Sequence, residues 1–390
     1  MRGKVLGSAM IVAGTAIGAG MLAIPLVTAE LGFILSTILL VVCWAAMTLT
    51  AFLILHVNMA FHEHSNFSTM AKQTIGRAGR LLTWISYCML LYALTAAYVT
   101  GGGSLLGNTF IHYAHMNVSP KIGAFLFTLV LGILVYFGVR FVDYANRVLL
   151  TLKGSSLILM VVFLFPHVHV SNLLISPDSK RGWLAALPIL LTSFGFQTVI
   201  PNLRGYLHSD VKKLKRVILI GSLIPLLIYL LWEMAILGSL PGLTNQVTLV
   251  DMINRLSTHF DQPSLGFIVN FFTDVAITTS FLGVSMGLFH FVRDAFHLNQ
   301  QRPGEKGLAA LITFLPPLCF AWFYPEGFIM ALDYASIFVV ILLIFIPVWM
   351  TWALKKQEKR SAYPFHLHWI GSVLLLAFGA LLIAAQFIRT

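Results

Sequence analysis

Four ionisable side chains fall inside apolar stretches of this 390-residue chain: Lys153, Glu233, Asp274 and Asp333. A charge set in hydrocarbon costs several kcal/mol, so each is a candidate for proton exchange. A second chemistry is written in two interrupted apolar runs. GTAIGAGMLAIP, Gly14 to Pro25, carries Gly14, Gly18, Gly20 and a proline; PILLTSFGFQTVIP, Pro188 to Pro201, carries Gly195 between Ser193 and Gln197 and is bracketed by prolines. Backbone groups freed inside a bilayer are tolerated where they line a cavity or meet a ligand. Freed amides suit an anionic group and freed carbonyls a cation, which together are what a zwitterion presents. Gly18 and Gly20 let a ligand approach the backbone with no Cβ in the way. Close helix packing through Gly14, Gly18 and Ala19 is the other reading of the first run.

The elements that must hold these groups are membrane spans. The composition is 58% hydrophobic and 10% charged, and a bilayer-crossing helix needs roughly 20 apolar residues. Apolar runs broken by charge, proline or polar clusters predict eleven spans, near 5–32, 33–58, 81–106, 122–139, 148–165, 184–203, 217–237, 265–292, 308–324, 327–352 and 368–387, with no soluble domain. Arg2 and Lys4 open span one with no small-residue cleavage pattern, so it reads as a retained helix.

With the N-terminus cytoplasmic, nineteen Lys and Arg fall on that side, among them Lys72, Arg77, Arg80, Arg140, Arg147, Arg204 and the Lys212–Arg216 cluster. Five fall on the other: Lys121, Lys180, Arg181, Arg255 and Arg389. This is the positive-inside pattern; it predicts a periplasmic C-terminus and accounts for the net charge of +11 without nucleic acid. Lys153 stands apart, within span five. Cys43, Cys88 and Cys319 fall within spans and read as buried apolar residues.

Two interrupted spans, the first and the sixth, occupy corresponding places in two halves, the best sequence pointer to a transporter site. Five spans per half is odd, so the second half enters from the opposite side and the repeat is inverted. Repeat one covers about 5–165 and repeat two about 184–352 of a single transporter domain; the span at 368–387 is an addition.

At these residues the chain resembles the bacterial tyrosine- and tryptophan-specific permeases of the hydroxy and aromatic amino acid permease family. The matching stretches are IVAGTAIGAGMLAIPL, LYALTAAYVTGGG, LTSFGFQTVIP, TSFLGVSMGLF and ITFLPPLCFAWFYPEGFIMAL, running from span one to span ten. The resemblance implies an all-α fold with a LeuT-like 5+5 core, broken helices one and six, and proton-coupled import of an aromatic amino acid at a bacterial inner membrane. It is closest in look to the tyrosine carriers. The chain departs from the family pattern at Gln197, where a His is usual, and at Asp333, where a small residue is usual, which bears on substrate identity. A tryptophan or broader aromatic and hydroxy amino acid permease, or a transporter-like sensor, stay open as alternatives.

Carried over by motif, the resemblance places the substrate carboxylate at the amides of Ala19 and Gly20, near Gly18, and its ammonium at carbonyls around Ala16 and Ser193. An aromatic substrate needs a large apolar wall with one or two polar tips; Phe194, Phe196 and Gln197 in span six, with Tyr92, Thr95 and Tyr98 in span three, are the candidates. In sodium-driven members of the LeuT-like fold an ion bridges the span-one break and a Thr/Ser pair in span eight, here Thr279 and Ser280. Some proton-coupled relatives place a span-five lysine there, which makes Lys153 the coupling candidate, with the proton as coupling ion and no other cofactor. Glu233, Asp274 and Asp333 lie in the outer half and are candidates for proton entry.

His62, Glu63 and His64 are spaced too tightly to share a helical face as a metal pair. Asn117-Val118-Ser119 is followed by Pro120 and carries no weight as a glycosylation pattern. Gly101 to Gly103 point to close helix contact. Asp210 to Arg216 reads as a solvated face. No nucleotide-binding motif is present, and no enzyme is expected: the carboxylates sit on different spans, with no nucleophile and base in sight.

Overall fold

The computed structural model describes residues 2–63, 65–174, 182–240, 242–244, 247–259, 263–299, 302–357, 361–363, 365 and 367–388. Lys180, Arg181, Lys359, Arg360 and Arg389, used above to orient the chain, lie outside them, as does His64. Among the described residues there are helices and no strands. Ten helices are long and apolar enough to cross a membrane, and an eleventh crossing follows if the bent pair Gly3–Ala16 and Gly20–Thr28 counts as one.

Span one comprises the helices Arg2–Ala16 and Gly20–Thr28, which meet at 53°. Spans two to five are Gly32–Asn58, Arg77–Ala114, Pro120–Phe137 and Val139–Leu164. Span six is split into Gly182–Thr192 and Ile200–Tyr206, joined by a bend and a single 3-10 turn, Gln197–Val199. Spans seven, eight and nine are Val211–Ser239, Pro263–Ala295 and Pro303–Phe323; span ten runs Phe328–Val340, Ile341–Phe345 and Ile346–Lys356; span eleven is Trp369–Ile388. The middle segment of span ten is a wide π-helical turn just before Pro347, where proline withholds its amide and crowds the carbonyl four residues back.

Local chemistry sets the ends. Asn66 accepts from the Thr69 amide to start a short helix, Phe67–Thr74, Ser119 accepts from Ile122 N to start span four, and Asp210 accepts from Lys213 N to start span seven. The hydrogen bonds and charge of Lys213 hold the Asp210 carboxyl below the usual carboxylate range. Gly76 and Gly138 turn the chain with φ of 87° and 114°, conformations open to glycine.

Small residues set the closest packing. A Cβ on Gly103 would fall 2.5 Å from Ala124 N, and one on Gly123 would strike the Gly103 carbonyl, so spans three and four meet backbone to backbone. A Cβ on Gly221 would lie 2.6 Å from the Val12 Cβ, which seats the first half of span one on span seven. Gly14, the other end of the proposed packing pair, has nothing within 4 Å of such a Cβ. The face of the bundle where span one starts is tied by loop contacts: Lys4 lies over the Tyr206 ring and Lys215 over Tyr363, Ser361 donates to His56 O at 2.7 Å, and Arg204 donates to the Asn58 and Phe61 carbonyls. We call this the basic face.

Candidate functional site

The break in span one exposes Ile17, Gly18 and Ala19, and three other spans reach it. Span five brings Lys153, whose amine donates to the Ile17 carbonyl at 2.8 Å. Span eight brings Ser280, whose hydroxyl accepts from the Ala19 amide at 2.9 Å and donates to Ala276 O at 2.8 Å. Span seven brings Tyr229, whose hydroxyl lies 2.7 Å from Ala16 O and 2.8 Å from Ser193 O, one carbonyl from each broken span. The amides of Gly18 and Gly20 are left without a protein partner among the described residues.

Both glycines line a cavity of about 620 Å³ that runs from the two breaks toward the basic face. Gly14 and Thr15, in the half of span one nearer that face, also line it and are exposed. Its apolar wall comes from span three through Tyr87, Leu91, Leu94 and Tyr98, spaced by three and four residues along one helical face. Leu332, Val339 and Leu343 of span ten complete it. Asn146 and Lys153, seven residues apart, present the same face of span five to it.

The structure sorts the residues expected from sequence. Ala16, Gly18, Gly20, Ser193, Tyr98, Lys153, Thr279 and Ser280 line the cavity. Ala19 is buried, and its amide, expected at the substrate, is held by Ser280. Phe194 packs on the Tyr229 ring at 5.2 Å between centroids, and Phe196 is buried in a cluster with Val12, Phe52 and Ile200. Gln197 donates to Met47 O at 2.9 Å. All three point away from the cavity, because the bend after Thr192 turns them into spans two and seven.

Tyr92 donates to Ile312 O of span nine at 2.9 Å, and Thr95 to Leu91 O on its own helix. They lie off the stripe that carries Tyr98, so the wall belongs to Tyr87, Leu91 and Leu94 instead. A helical-period reading of span three would have selected that stripe. Tyr229 gave no signal, since a lone tyrosine in an apolar run is ordinary. Thr279 lines the cavity, but its hydroxyl donates to Ala276 O.

Among the described residues no acidic side chain lines the cavity. Glu233 is fully buried beyond the breaks, where it meets the Thr28 hydroxyl; Asp274 shares a hydrogen bond with Thr109; Asp333 sits near the end of span eleven, its carbonyl accepting from Gln386 at 2.8 Å. The ion pairs Asp143–Arg147, Asp210–Lys213 and Arg302–Glu305 each lie within the first turns of a helix and do not include Lys153. Among the described residues no three His, Cys, Asp or Glu side chains gather closely enough to hold a metal ion.

The break in span one thus turns two unpaired amides toward the same cavity that Ala16 and Ser193, whose carbonyls Tyr229 reaches, line from the two broken spans. Residues 1–386 match the tryptophan/tyrosine permease family. The chain belongs to that family. Over 395 residues it is 35% identical to the tyrosine-specific transport system 2 of Haemophilus influenzae, covering 100% of this chain and 97% of that protein. It is 32% identical to the tryptophan-specific transport protein of Pseudomonas aeruginosa, covering 97% of this chain and 93% of that protein. It is 33% identical to glutamine transporter 2 of Aliivibrio fischeri, covering 99% of this chain and 100% of that protein. The protein is thus a multi-pass membrane permease and not an enzyme. Similar identity to relatives named for three different substrates means that whole-chain likeness does not choose among them.

Proposed function

We propose that this permease is a proton-coupled importer of an aromatic amino acid, tyrosine foremost, in a bacterial inner membrane with its N-terminus cytoplasmic and its C-terminus periplasmic. The observation that carries the reading is the pair of unpartnered amides, Gly18 and Gly20, facing the same cavity as the Ala16 and Ser193 carbonyls. Amides at a half-helix start receive a carboxylate and carbonyls receive an ammonium. The cavity falls in the size range of small-molecule sites, and its wall of Tyr87, Leu91, Leu94 and Tyr98 suits an aromatic ring. Tyrosine is favoured over tryptophan by the look of the LTSFGFQTVIP stretch.

The architecture that fits is eleven spans, with spans one to five and six to ten as LeuT-like inverted repeats and span eleven added. Lys153 is the coupling group in this reading. Its ammonium bonds a carbonyl of the break, while Ser280 holds the amide two residues on. Protonated, the lysine ties span five to span one; on losing its proton toward the basic face it frees the break and releases substrate. Glu233, Asp274 and Asp333 lie off this route and serve proton entry from the face opposite the basic one.

The test is uptake in proteoliposomes. Labelled tyrosine exchanges in counterflow and accumulates under an imposed pH gradient without sodium; Lys153→Ala retains exchange and loses gradient-driven accumulation. A sodium requirement, or accumulation that survives the substitution, rejects proton coupling through Lys153. Competition by serine, leucine or glutamine as strong as by tyrosine rejects the aromatic assignment, and binding without exchange marks a sensor.

A further inference from the structure

Tyr229 is fully buried in span seven, and its ring rests on Phe194. Its hydroxyl is 2.7 Å from Ala16 O and 2.8 Å from Ser193 O. A phenol has one proton, so at any moment it donates to one of these carbonyls and leaves the other short of a donor. The two contacts also limit the separation of the carbonyl oxygens to about 5.5 Å. An ammonium that bonds two oxygens at ordinary hydrogen-bond lengths of about 2.9 Å needs them roughly 4.7 Å apart. Ala16 and Ser193 line the cavity and Tyr229 does not. The hydroxyl therefore approaches from outside the lining, and each carbonyl oxygen keeps a second lone pair for another donor.

We propose that Tyr229 is the positioning residue for substrate amine recognition: one phenol hydroxyl holds the span-one and span-six carbonyls in register, close enough together for an α-ammonium to bridge, with one donor too few until the substrate supplies it. This deepens the reading of the cavity as an amino acid site and rests on it. Phe194 fixes the ring, and the ring fixes the hydroxyl. The donor shortage also gives the site a reason to reject an acid that has the same side chain and carboxylate but no amine.

The experiment measures equilibrium binding of tyrosine and of 3-(4-hydroxyphenyl)propionate, its des-amino analogue, to purified protein in detergent. Wild type binds tyrosine more tightly. In Tyr229→Phe the tyrosine affinity falls about tenfold and the analogue's is unchanged, so the ratio between them collapses. Equal weakening of both ligands, or an unchanged ratio in a variant that keeps the wild-type melting profile, overturns the proposal. If Tyr229→Phe does not fold, Phe194→Leu decides, with the ratio expected to fall about threefold and an unchanged ratio overturning. Wild type that binds neither tyrosine nor any other amino acid defeats the amino acid reading itself and the proposal with it; wild type that binds both compounds equally defeats the amine assignment alone.

Discussion

The two halves of span one are built from similar small and apolar residues yet live in different surroundings. In the first half Gly14 and Thr15 are exposed on the cavity and Met10 and Ile11 line its approach. In the second, every residue from Met21 to Thr28 is buried. The Trp232 indole donates to Met21 O at 2.9 Å, the Phe272 ring lies 6.0 Å from that of Trp232, and Glu233 meets Thr28 one residue further along span seven. Over this seal, the helix Leu249–His259 joins span three through the amides of Asn254 and Asn108, 3.3 Å apart. The difference teaches that access is decided by what packs on each half-helix, not by the composition of the half-helix. A carrier needs that arrangement, one half sealed while the other admits ligand.

Substitution at the boundary between the halves gives the largest expected effect. Gly20→Val puts a side chain 3.2 Å from the Ser193 hydroxyl, over the free amide, and tyrosine binding should weaken by two orders of magnitude or more. Gly14→Ala meets nothing within 4 Å and should leave binding within about twofold. Equal effects of the two would erase the distinction between the break and the helix before it. Isothermal titration or scintillation proximity reads both.

Gln197→Ala comes next. It removes a fully buried donor to Met47 O and should cost about 1–3 kcal/mol of stability, read as a lower melting temperature. The preference for tyrosine over tryptophan should be unmoved, because the amide points into span two. A change of preference would place Gln197 in the substrate site after all.

Trp232→Phe sharpens the comparison from the sealed side. Loss of the indole N–H leaves Met21 O unpaired at a cost of about 1 kcal/mol. A Leu22→Cys reporter should then react faster with an impermeant thiol reagent added on the face opposite the basic one. Unchanged labelling would mean that the seal does not depend on this hydrogen bond.

Tyr92→Phe is expected to do least. It removes one hydrogen bond between spans three and nine, worth roughly 0.5–1.5 kcal/mol, and leaves uptake kinetics alone. Tyr98→Phe, on the cavity stripe, should raise the KM for tyrosine. The pair tests whether the wall of the site is the Tyr87–Leu91–Leu94–Tyr98 face.

Much of this protein was legible before any coordinates. Hydrocarbon forbids unpaired backbone, so long apolar runs had to be helices, and the spans from 5–32 through 368–387 overlie the helices of the structure within a few residues of most ends. The same constraint made the glycine-rich runs at Gly14–Pro25 and Pro188–Pro201 stand out as breaks, and made Lys153 conspicuous as a cation out of place. What a linear pattern lacks is the direction of each side chain once the helix has ended. Around Phe194, Phe196 and Gln197 no helical period applies, and only the bend after Thr192 decides that they turn away from the cavity. Tyr229 lies 213 residues from Ala16 and 36 from Ser193 along the chain, and Ser280 lies 261 from Ala19. Such meetings follow from helix packing, because a hydrogen bond between distant segments leaves no local mark in either. The composition of the site was set by the sequence; which amides it leaves free for a ligand was decided by the fold.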